Sequence, residues 1–174
     1  MYLTKIQKGK EDVRTNVYAI HQQIAEAFPQ QRRLFYCGAS DITVISENPS
    51  ISGGRTSSLI DTSSFKTGDV KTFTTRINPV KRSKATQKIE IIRDEDLFEF
   101  VINRFKSSGF KLASIQIIKE PLFLIKKSQK VIPYKSLRIN GTLQITDPVI
   151  FKDVLLQGIT GKGKAFGFGM LNIF

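Results

Sequence analysis

Apolar residues recur at helical spacing in two stretches of the chain. The first stripe predicts a helix that follows Asn16, as its N-cap, and ends near Ala27, before Pro29. The second stripe predicts a helix that begins at the cap residue Asp94 and ends at Gly109. The stripes consist of Val17, Ile20, Ile24 and Ala27 in the first helix and Leu97, Phe98, Val101, Ile102 and Phe105 in the second.

Runs of β-branched and other apolar residues predict strands before, between and after these helices. They cover residues 2–6, 34–39, 42–46, 72–77, 110–118, 122–125 and 137–145. Residues 47–68 are rich in Ser, Thr and Gly and indicate no clear element. Asp147-Pro148, an N-cap followed by a first-turn proline, predicts a third helix that reaches Gly158, and a last strand follows it.

The order of the elements predicts an α+β fold with two tandem ferredoxin-like (RRM-like) domains and a C-terminal glycine-rich loop. Each half combines a helix, antiparallel strands and a returning strand, which is the split βαβ plan. We expect an N-terminal domain over residues 1–80, a basic connector or hairpin over 81–93, and a C-terminal domain over 94–174. This prediction depends on element order, because no sequence repeat relates the halves.

The charge of the chain indicates a polyanionic partner. Lys and Arg number 27 against 15 Asp and Glu, which leaves a net charge of +12 spread along the chain. A membrane-binding amphipathic helix would combine many lysines with a broad apolar face, and neither stripe has that pattern. Nucleic acid is therefore favoured over anionic lipid. With no apolar signal core and no run of roughly 20 apolar residues, we expect a cytoplasmic protein that is not in a membrane.

Cysteine and histidine are too few for a disulfide or an ordinary zinc site. Cys37 is the single cysteine and His21 the single histidine in the sequence. A disulfide needs two thiols, and structural zinc takes four ligands that are mostly Cys and His. We therefore expect neither a metal nor a cofactor.

His21 is the one side chain whose ordinary pKa lies near neutrality. RNA is cleaved without a metal when one group removes the 2′-hydroxyl proton, another protonates the leaving 5′-oxygen, and cations or NH groups stabilise the phosphorane. Tyr18, on the same flank of the predicted helix, has a phenol that could donate or orient a proton. The alternative is a structural histidine beside the apolar stripe.

The last fourteen residues combine glycine, lysine and phenylalanine in a pattern that helix interiors disfavour. We interpret Gly161, Lys162, Gly163 and Lys164 as a phosphate-binding segment formed by backbone NH groups and ammonium groups. The RNP1 pattern matches only in part, with too little chain after Leu171 for a standard RNA-recognition motif, and Walker A spacing is absent. A hairpin whose glycines permit close packing is the structural alternative.

Four segments, in one order along the chain, carry a family resemblance. They are NVYAIHQQIAEAFP, RINP, DEDLFEFVINRFKSSGFKL and GTLQITDPVIFKDVLLQGITGKGKAFGFGMLNI. Together they resemble CasE, the CRISPR repeat endoribonuclease of the type I-E Cascade complex. The closing part, from LLQGI to GKAFGFGML, is the most specific, whereas residues 47–68 and 119–135 match poorly.

The resemblance implies metal-independent cleavage of the repeat hairpin of precursor CRISPR RNA, with a 2′,3′-cyclic phosphate product that stays bound among the other Cascade subunits. The family's helix tyrosine and histidine fall on Tyr18 and His21, which implies imidazole as general acid or base and phenol as orienter or proton partner. Its glycine loop falls on residues 161–169, with Lys164 at the lysine position. Thr160 is one residue more than the family run, and Thr74 stands where a basic residue often precedes RxNP.

A structured repeat also has to be held along its phosphates, because the major groove of A-form RNA is deep and narrow. The candidate stem contacts are Arg76, Lys81, Arg82, Lys84 and Arg138. Each of them also fits an ordinary solvated surface charge. Two alternative functions remain open: a noncatalytic RNA-binding or assembly subunit, and a basic ribosome-associated protein.

Overall fold

Strands and helices follow each other in an order that occurs twice. The computed structural model describes residues 1–7, 13–31, 33–38, 41–50, 57–127, 130–159, 161 and 163–174. Their elements are β1 (Tyr2–Gln7), α1 (Val13–Ala27), β2 (Arg33–Cys37), β3 (Asp41–Ser46), β4 (Ser57–Leu59), β5 (Val70–Ile77), β6 (Val80–Arg82), β7 (Ile89–Ile91), α2 (Leu97–Phe105), β8 (Phe110–Lys127), β9 (Lys130–Ile145), α3 (Pro148–Gln157) and β10 (Leu171–Ile173). One turn of 3-10 helix, Lys164–Phe166, lies between α3 and β10.

The first sheet has the strand order β2-β3-β1-β4, and all neighbouring strands are antiparallel. Helix α1 connects β1 to β2, and β3 lies between these two strands. This arrangement is the ferredoxin-like order. Helix α1 covers the sheet with Val17 and Ile24, which are buried against Phe35 and Val44.

The second sheet has the order β10-β5-β9-β8, again antiparallel throughout. Strand β5, helix α2, the β8–β9 hairpin, helix α3 and strand β10 repeat the ferredoxin-like plan. The predicted α+β fold with two tandem ferredoxin-like domains is confirmed. The assignment of the strand at 72–77 to the first unit is wrong, because β5 pairs with β9 and β10; the exact domain limits stay a prediction.

The hairpin of β6 and β7 stands between β5 and α2, in the segment predicted as a basic connector or hairpin. The predicted strands at 110–118 and 122–125 form one long strand, β8. Pro121 has no NH to donate to the ladder, and a register shift between Glu120 and Phe123 accommodates it. The far part of β8 then reaches the first core, where Ile125 is buried among residues of α1 and the first sheet.

The helix ends agree only in part with the predictions. Asp147 is the N-cap of α3, and its carboxylate accepts hydrogen bonds from Val149 N at 2.9 Å and Ile150 N at 3.0 Å. Helix α1 begins at Val13, so the predicted N-cap Asn16 is wrong.

Helix α2 also departs from its predicted bounds. It begins at Leu97, because the Asp94 carboxylate accepts a hydrogen bond from Lys119 Nζ at 2.6 Å and Asp96 takes the cap position. The helix ends at Phe105. Leu97, Val101 and Phe105 of its stripe are buried, whereas Phe98 is 61% exposed.

The C-terminal segment lies against both sheets. Phe166 packs on the core between α1 and the first sheet, and Met170 is buried with Leu34, Tyr36 and Ile45. Backbone bonds fix the same segment to the second sheet, because Gly169 N donates to Arg76 O at 2.7 Å. The end of the chain is thereby placed beside α1.

Candidate active site

Helix α1 places Tyr18 and His21 side by side on one flank. Their ring centroids are 6.5 Å apart, with the planes tilted by 46°. Both side chains are half-buried, since they lie at the edge of the stripe that faces the sheet. The predicted pair is therefore adjacent in space, and its spacing on the helix is the reason.

The final segment meets this flank through Phe166. The His21 and Phe166 ring centroids lie 6.2 Å apart at an angle of 64°, and Phe166 continues to Tyr134 of β9 at 5.7 Å. The first helix and the C-terminal segment are thus in contact. The contact is apolar and holds one face of the imidazole.

A cavity of about 350 Å³ opens beside His21. His21 of α1, Gln31, Arg33 and Phe35 at and before β2, and Lys164 of the 3-10 turn contribute to its wall. Within the described part of the chain no carboxylate lines it. Two cationic side chains beside a titratable imidazole make this cavity suitable for an anion.

The surroundings of His21 lower the pKa of its imidazole and so favour the neutral form. Partial burial lowers the pKa of His21, and the positive charge of Arg33 lowers that pKa further. Because this pKa is lower than the ordinary value of 6.5, the imidazole at neutral pH has a lone pair that can accept a proton. An anion bound in the cavity would oppose both effects.

Arg33 is a site residue that the sequence reasoning missed. Its Nη1 donates to Phe28 O at 2.7 Å and to Gln31 O at 3.0 Å, at the carboxyl end of α1. A cation in this position interacts favourably with the negative end of the helix dipole. The available signal was a basic residue directly before the predicted strand at 34–39.

Lys164 lies in the same cavity and has a second set of contacts. Its Nζ donates to Gln157 O at 2.6 Å and to Gly158 O at 3.3 Å, at the carboxyl end of α3. The ammonium group therefore stabilises α3 as well as lining the cavity. Phosphate binding by Lys164 stays a prediction.

The glycines of the final segment have conformational reasons that precede any ligand. Gly163 (φ 95°) and Gly167 (φ 83°) flank the 3-10 turn in left-handed conformations. A Cβ at Gly167 would lie 3.0 Å from Cε2 of Phe35, so close packing also requires glycine. This agrees with the structural alternative for these glycines, while phosphate binding by Gly161 and Gly163 stays a prediction. Lys162 and Thr160 lie outside the described residues.

The predicted contact of Arg76 with the RNA stem is corrected by the structure, because its side chain is buried. Its guanidinium forms an ion pair with Glu120 at 2.6 Å and donates to Cys37 O at 3.1 Å. The rings of Tyr36 and Phe123 lie on either side, each 4.8 Å from Cζ. With only 8% of its side chain exposed, Arg76 links the two sheets and is not available to RNA at the surface.

The remaining candidate stem contacts lie away from the cavity wall. Lys81 and Arg82 are exposed on β6, and Lys84 is exposed in the turn that follows. Arg138 of β9 is 42% exposed, with its Nε 3.7 Å from Glu120 Oε1. The structure brings Tyr18, His21 and Lys164 together. RNA binding by Lys81, Arg82, Lys84 and Arg138 stays a prediction.

Neither a metal-ligand cluster nor a membrane-spanning helix occurs among the described residues. No three His, Cys, Asp or Glu side chains among them are grouped so that they could hold a metal ion. No helix in that part of the chain is long and apolar enough to cross a membrane.

Solved structures with the same fold are known. The chain is similar to the CRISPR endoribonuclease Cse3 bound to a 19-nucleotide RNA, with a TM-score of 0.84, 21% identity and full coverage of both chains. It is also similar to Cas6e from Escherichia coli K-12, with a TM-score of 0.79, 20% identity and coverage of 99% and 98% of the two chains. A chain of a CRISPR RNA-guided surveillance complex, pre-nicking, has a TM-score of 0.74 and 18% identity, with 99% of each chain covered.

Fold and cavity together define a tandem ferredoxin-like protein with a cavity between its first helix and its last turn, lined by His21, Arg33 and Lys164. The family model for CRISPR associated protein matches residues 1–174. The chain therefore belongs to the CRISPR associated protein family, and the resemblance drawn from its motifs is confirmed. No curated protein matches the chain in sequence.

Proposed function

We propose that this protein is a metal-independent endoribonuclease that cleaves the repeat hairpin of precursor CRISPR RNA and keeps the product bound within a surveillance complex. The observation that carries the proposal is the cavity in which His21 lies beside Arg33 and Lys164 with no described carboxylate. Family membership supports it, as do the RNA-bound endoribonuclease and the surveillance complex with the same fold.

The reaction requires no water and no cofactor. The ribose 2′-oxygen attacks phosphorus, the bond from phosphorus to the 5′-oxygen breaks, and the products are a 2′,3′-cyclic phosphate and a 5′-hydroxyl. The lowered pKa of His21 suits the step in which the imidazole accepts the 2′-hydroxyl proton. The leaving 5′-oxygen then receives a proton, either from the imidazolium while Tyr18 orients it, or from the Tyr18 phenol, which the imidazolium reprotonates. Lys164 stabilises the added negative charge on the phosphorane.

The proposal is tested with the hairpin repeat RNA from the encoding locus in excess EDTA. We expect one cut and a fragment that ends in a 2′,3′-cyclic phosphate. A single 2′-deoxy residue 5′ to the cut removes the nucleophile and should abolish cleavage, while the same substitution elsewhere should leave it unchanged. Absence of cleavage, or cleavage of the 2′-deoxy RNA, would contradict the proposal.

One observation favours a second function, that of a noncatalytic RNA-binding subunit. Lys164 is bonded to the end of α3, and His21 packs on Phe166, so both residues have structural contacts without RNA. Tight binding of the hairpin with no cutting under any metal condition would favour this function. Affinity alone does not separate the two, because salt-dependent binding is expected of both.

A further inference from the structure

Arg33 is held in a fixed orientation at the cavity. Both of its hydrogen bonds use Nη1, which contacts the carbonyl oxygens of Phe28 and Gln31. Among the described residues, Nη2 and Nε have no hydrogen-bond partner. A guanidinium has five NH groups in a rigid plane, so one nitrogen can bond the helix end while the others bind a ligand.

The surroundings of Arg33 define the kind of ligand. The cavity places the guanidinium on the same wall as His21 and Lys164. The titratable and charged groups around the imidazole are Tyr18 on its own helix, Arg33 from β2 and Lys164 from the final turn. Guanidinium groups bind phosphate through paired NH donors, which an ammonium group cannot do.

We propose that Arg33 is a catalytic residue that binds the non-bridging oxygens of the scissile phosphate and stabilises the phosphorane. This inference rests on the proposed function, and it names a residue that the family resemblance did not assign. Arg33 is bound to the end of α1, so its position relative to His21 is fixed before RNA enters. Preorganised charge of this kind is the largest contribution in many enzymes.

The competing explanation is that Arg33 only stabilises the end of α1. Two variants separate the roles. Arg33→Gln keeps an amide that can donate to the helix carbonyls but removes the charge. Arg33→Lys keeps the charge but loses the planar fork. Arg93→Gln is the matched control, because the Arg93 side chain is 80% exposed and forms an ion pair with the exposed Glu95 across 3.9 Å.

The first experiment needs no RNA cleavage. The sequence has one histidine, so its Cε1 proton gives a single NMR titration curve. We expect inorganic phosphate to raise the pKa of His21 in the wild type, because a bound anion stabilises imidazolium. Arg33→Gln should raise the pKa of the phosphate-free protein and weaken its response to phosphate. A wild-type phosphate response in Arg33→Gln would overturn the proposal.

The second experiment is single-turnover cleavage at saturating RNA. We expect Arg33→Gln to slow the reaction by about 10²-fold or more, and Arg33→Lys by about tenfold while it keeps the low pKa of His21. Arg93→Gln should cleave as the wild type does. If wild type and Arg33→Gln cut equally fast, the role of Arg33 is refuted while the proposed function stands.

The two experiments fail independently. If the wild type does not cut, the proposed function fails, and the phosphate titration still decides whether Arg33 belongs to an anion site. If Arg33→Gln does not fold, Arg33→Lys tests whether cleavage requires the guanidinium. Cleavage by that variant at the wild-type rate would contradict the proposal. Circular dichroism of each variant establishes which case applies.

Discussion

At the scale of single residues, the two cations of the cavity are held in the same way, each by hydrogen bonds near the carboxyl end of a helix. Arg33 bonds the carbonyls at the end of α1, and Lys164 bonds those at the end of α3. Each charge is thus stabilised by a helix terminus and held in place before a ligand binds. Fixed side chains lose less entropy on binding than mobile ones. The site therefore depends on two helices ending at one cavity.

Lys164→Met tests whether the ammonium group of Lys164 contributes to RNA cleavage in addition to stabilising the end of α3. We expect hairpin cleavage to slow by about tenfold to hundredfold, and the free energy of unfolding to fall by about 1 kcal/mol as the α3 carbonyls lose their donor. Single-turnover rates and urea unfolding measure the two effects. Lys111→Met, at an exposed position of β8, should change neither. Lower stability with an unchanged rate would show that Lys164 only caps α3.

Residue chemistry determined what could be predicted at this scale. A lone histidine three positions from a tyrosine on a helix identifies Tyr18 and His21, because helix geometry is local. Arg33 was missed because its role depends on where the last turn folds back. Arg76 was assigned to RNA because a sequence does not show that Glu120, 44 positions away, pairs with its charge.

At the scale of elements, the final 3-10 turn is shaped by the glycines on either side of it. Gly163 and Gly167 adopt φ values of 95° and 83°, which L side chains rarely adopt. The turn exposes Lys164 to the cavity and buries Phe168 behind it. Its shape is set by backbone conformation, so the side chains that face the cavity follow from it.

Gly167→Ala should distort this turn. The left-handed backbone costs a residue with a Cβ about 1–2 kcal/mol, and the new Cβ would also lie 3.0 Å from Phe35 in the cavity wall. Gly68→Ala is the matched control, because Gly68 has a φ of 97° with nothing within 4 Å of a Cβ. Urea unfolding should show a larger loss for Gly167→Ala, together with slower cleavage. Equal losses would mean that the Phe35 contact has no cost.

Element boundaries show which signals are local. Asp147-Pro148 identified the start of α3, since both the cap and the proline act within one turn. The start of α2 was placed too early because Asp94 also resembles a cap, and only the fold brings Lys119 to its carboxylate. The length of β8 was underestimated because Pro121 reads as a strand end, whereas a register shift absorbs it.

At the scale of the molecule, the buried Arg76 guanidinium connects the two sheets. Arg76 of β5 bonds Glu120 of β8 and the Cys37 carbonyl of the first sheet, between the rings of Tyr36 and Phe123. Burial alone would raise the pKa of Glu120, but the hydrogen bonds and charge of Arg76 outweigh burial and lower it. The ion pair holds the guanidinium in place, and its hydrogen bond to Cys37 O connects β2, the strand that carries Arg33 and Phe35, to the second sheet.

Arg76→Met should remove the closest cation from the buried Glu120 carboxylate, which keeps Ser136 Oγ at 2.7 Å and Arg138 Nε at 3.7 Å. We expect the free energy of unfolding at pH 7 to fall by about 3–5 kcal/mol, and the double variant Arg76→Met/Glu120→Met to recover part of that loss. Because the pKa of Glu120 is lowered in the folded state, the stabilisation is present above its ordinary value of 4.5 and is lost as pH falls through the lowered value. Arg76→Met with wild-type stability would contradict this role.

The overall architecture was predicted from element order, but its strand pairing was not. Two helix-and-strand units were visible in the periodicity, since each unit is built from local patterns. The strands that pair with β5 are β9 and β10, which lie more than 50 residues later in the sequence. Pairings over such distances leave no local signal, and they are what brings the end of the chain to α1.

The central claim is that His21, in the cavity between α1 and the last turn, carries out RNA cleavage. The most direct measurement is the single-turnover rate of hairpin repeat cleavage by wild type and His21→Ala in EDTA, with RNA affinity measured in parallel. We predict a rate loss of about 10²–10⁴-fold with RNA binding retained. Cleavage by His21→Ala at the wild-type rate would contradict the claim.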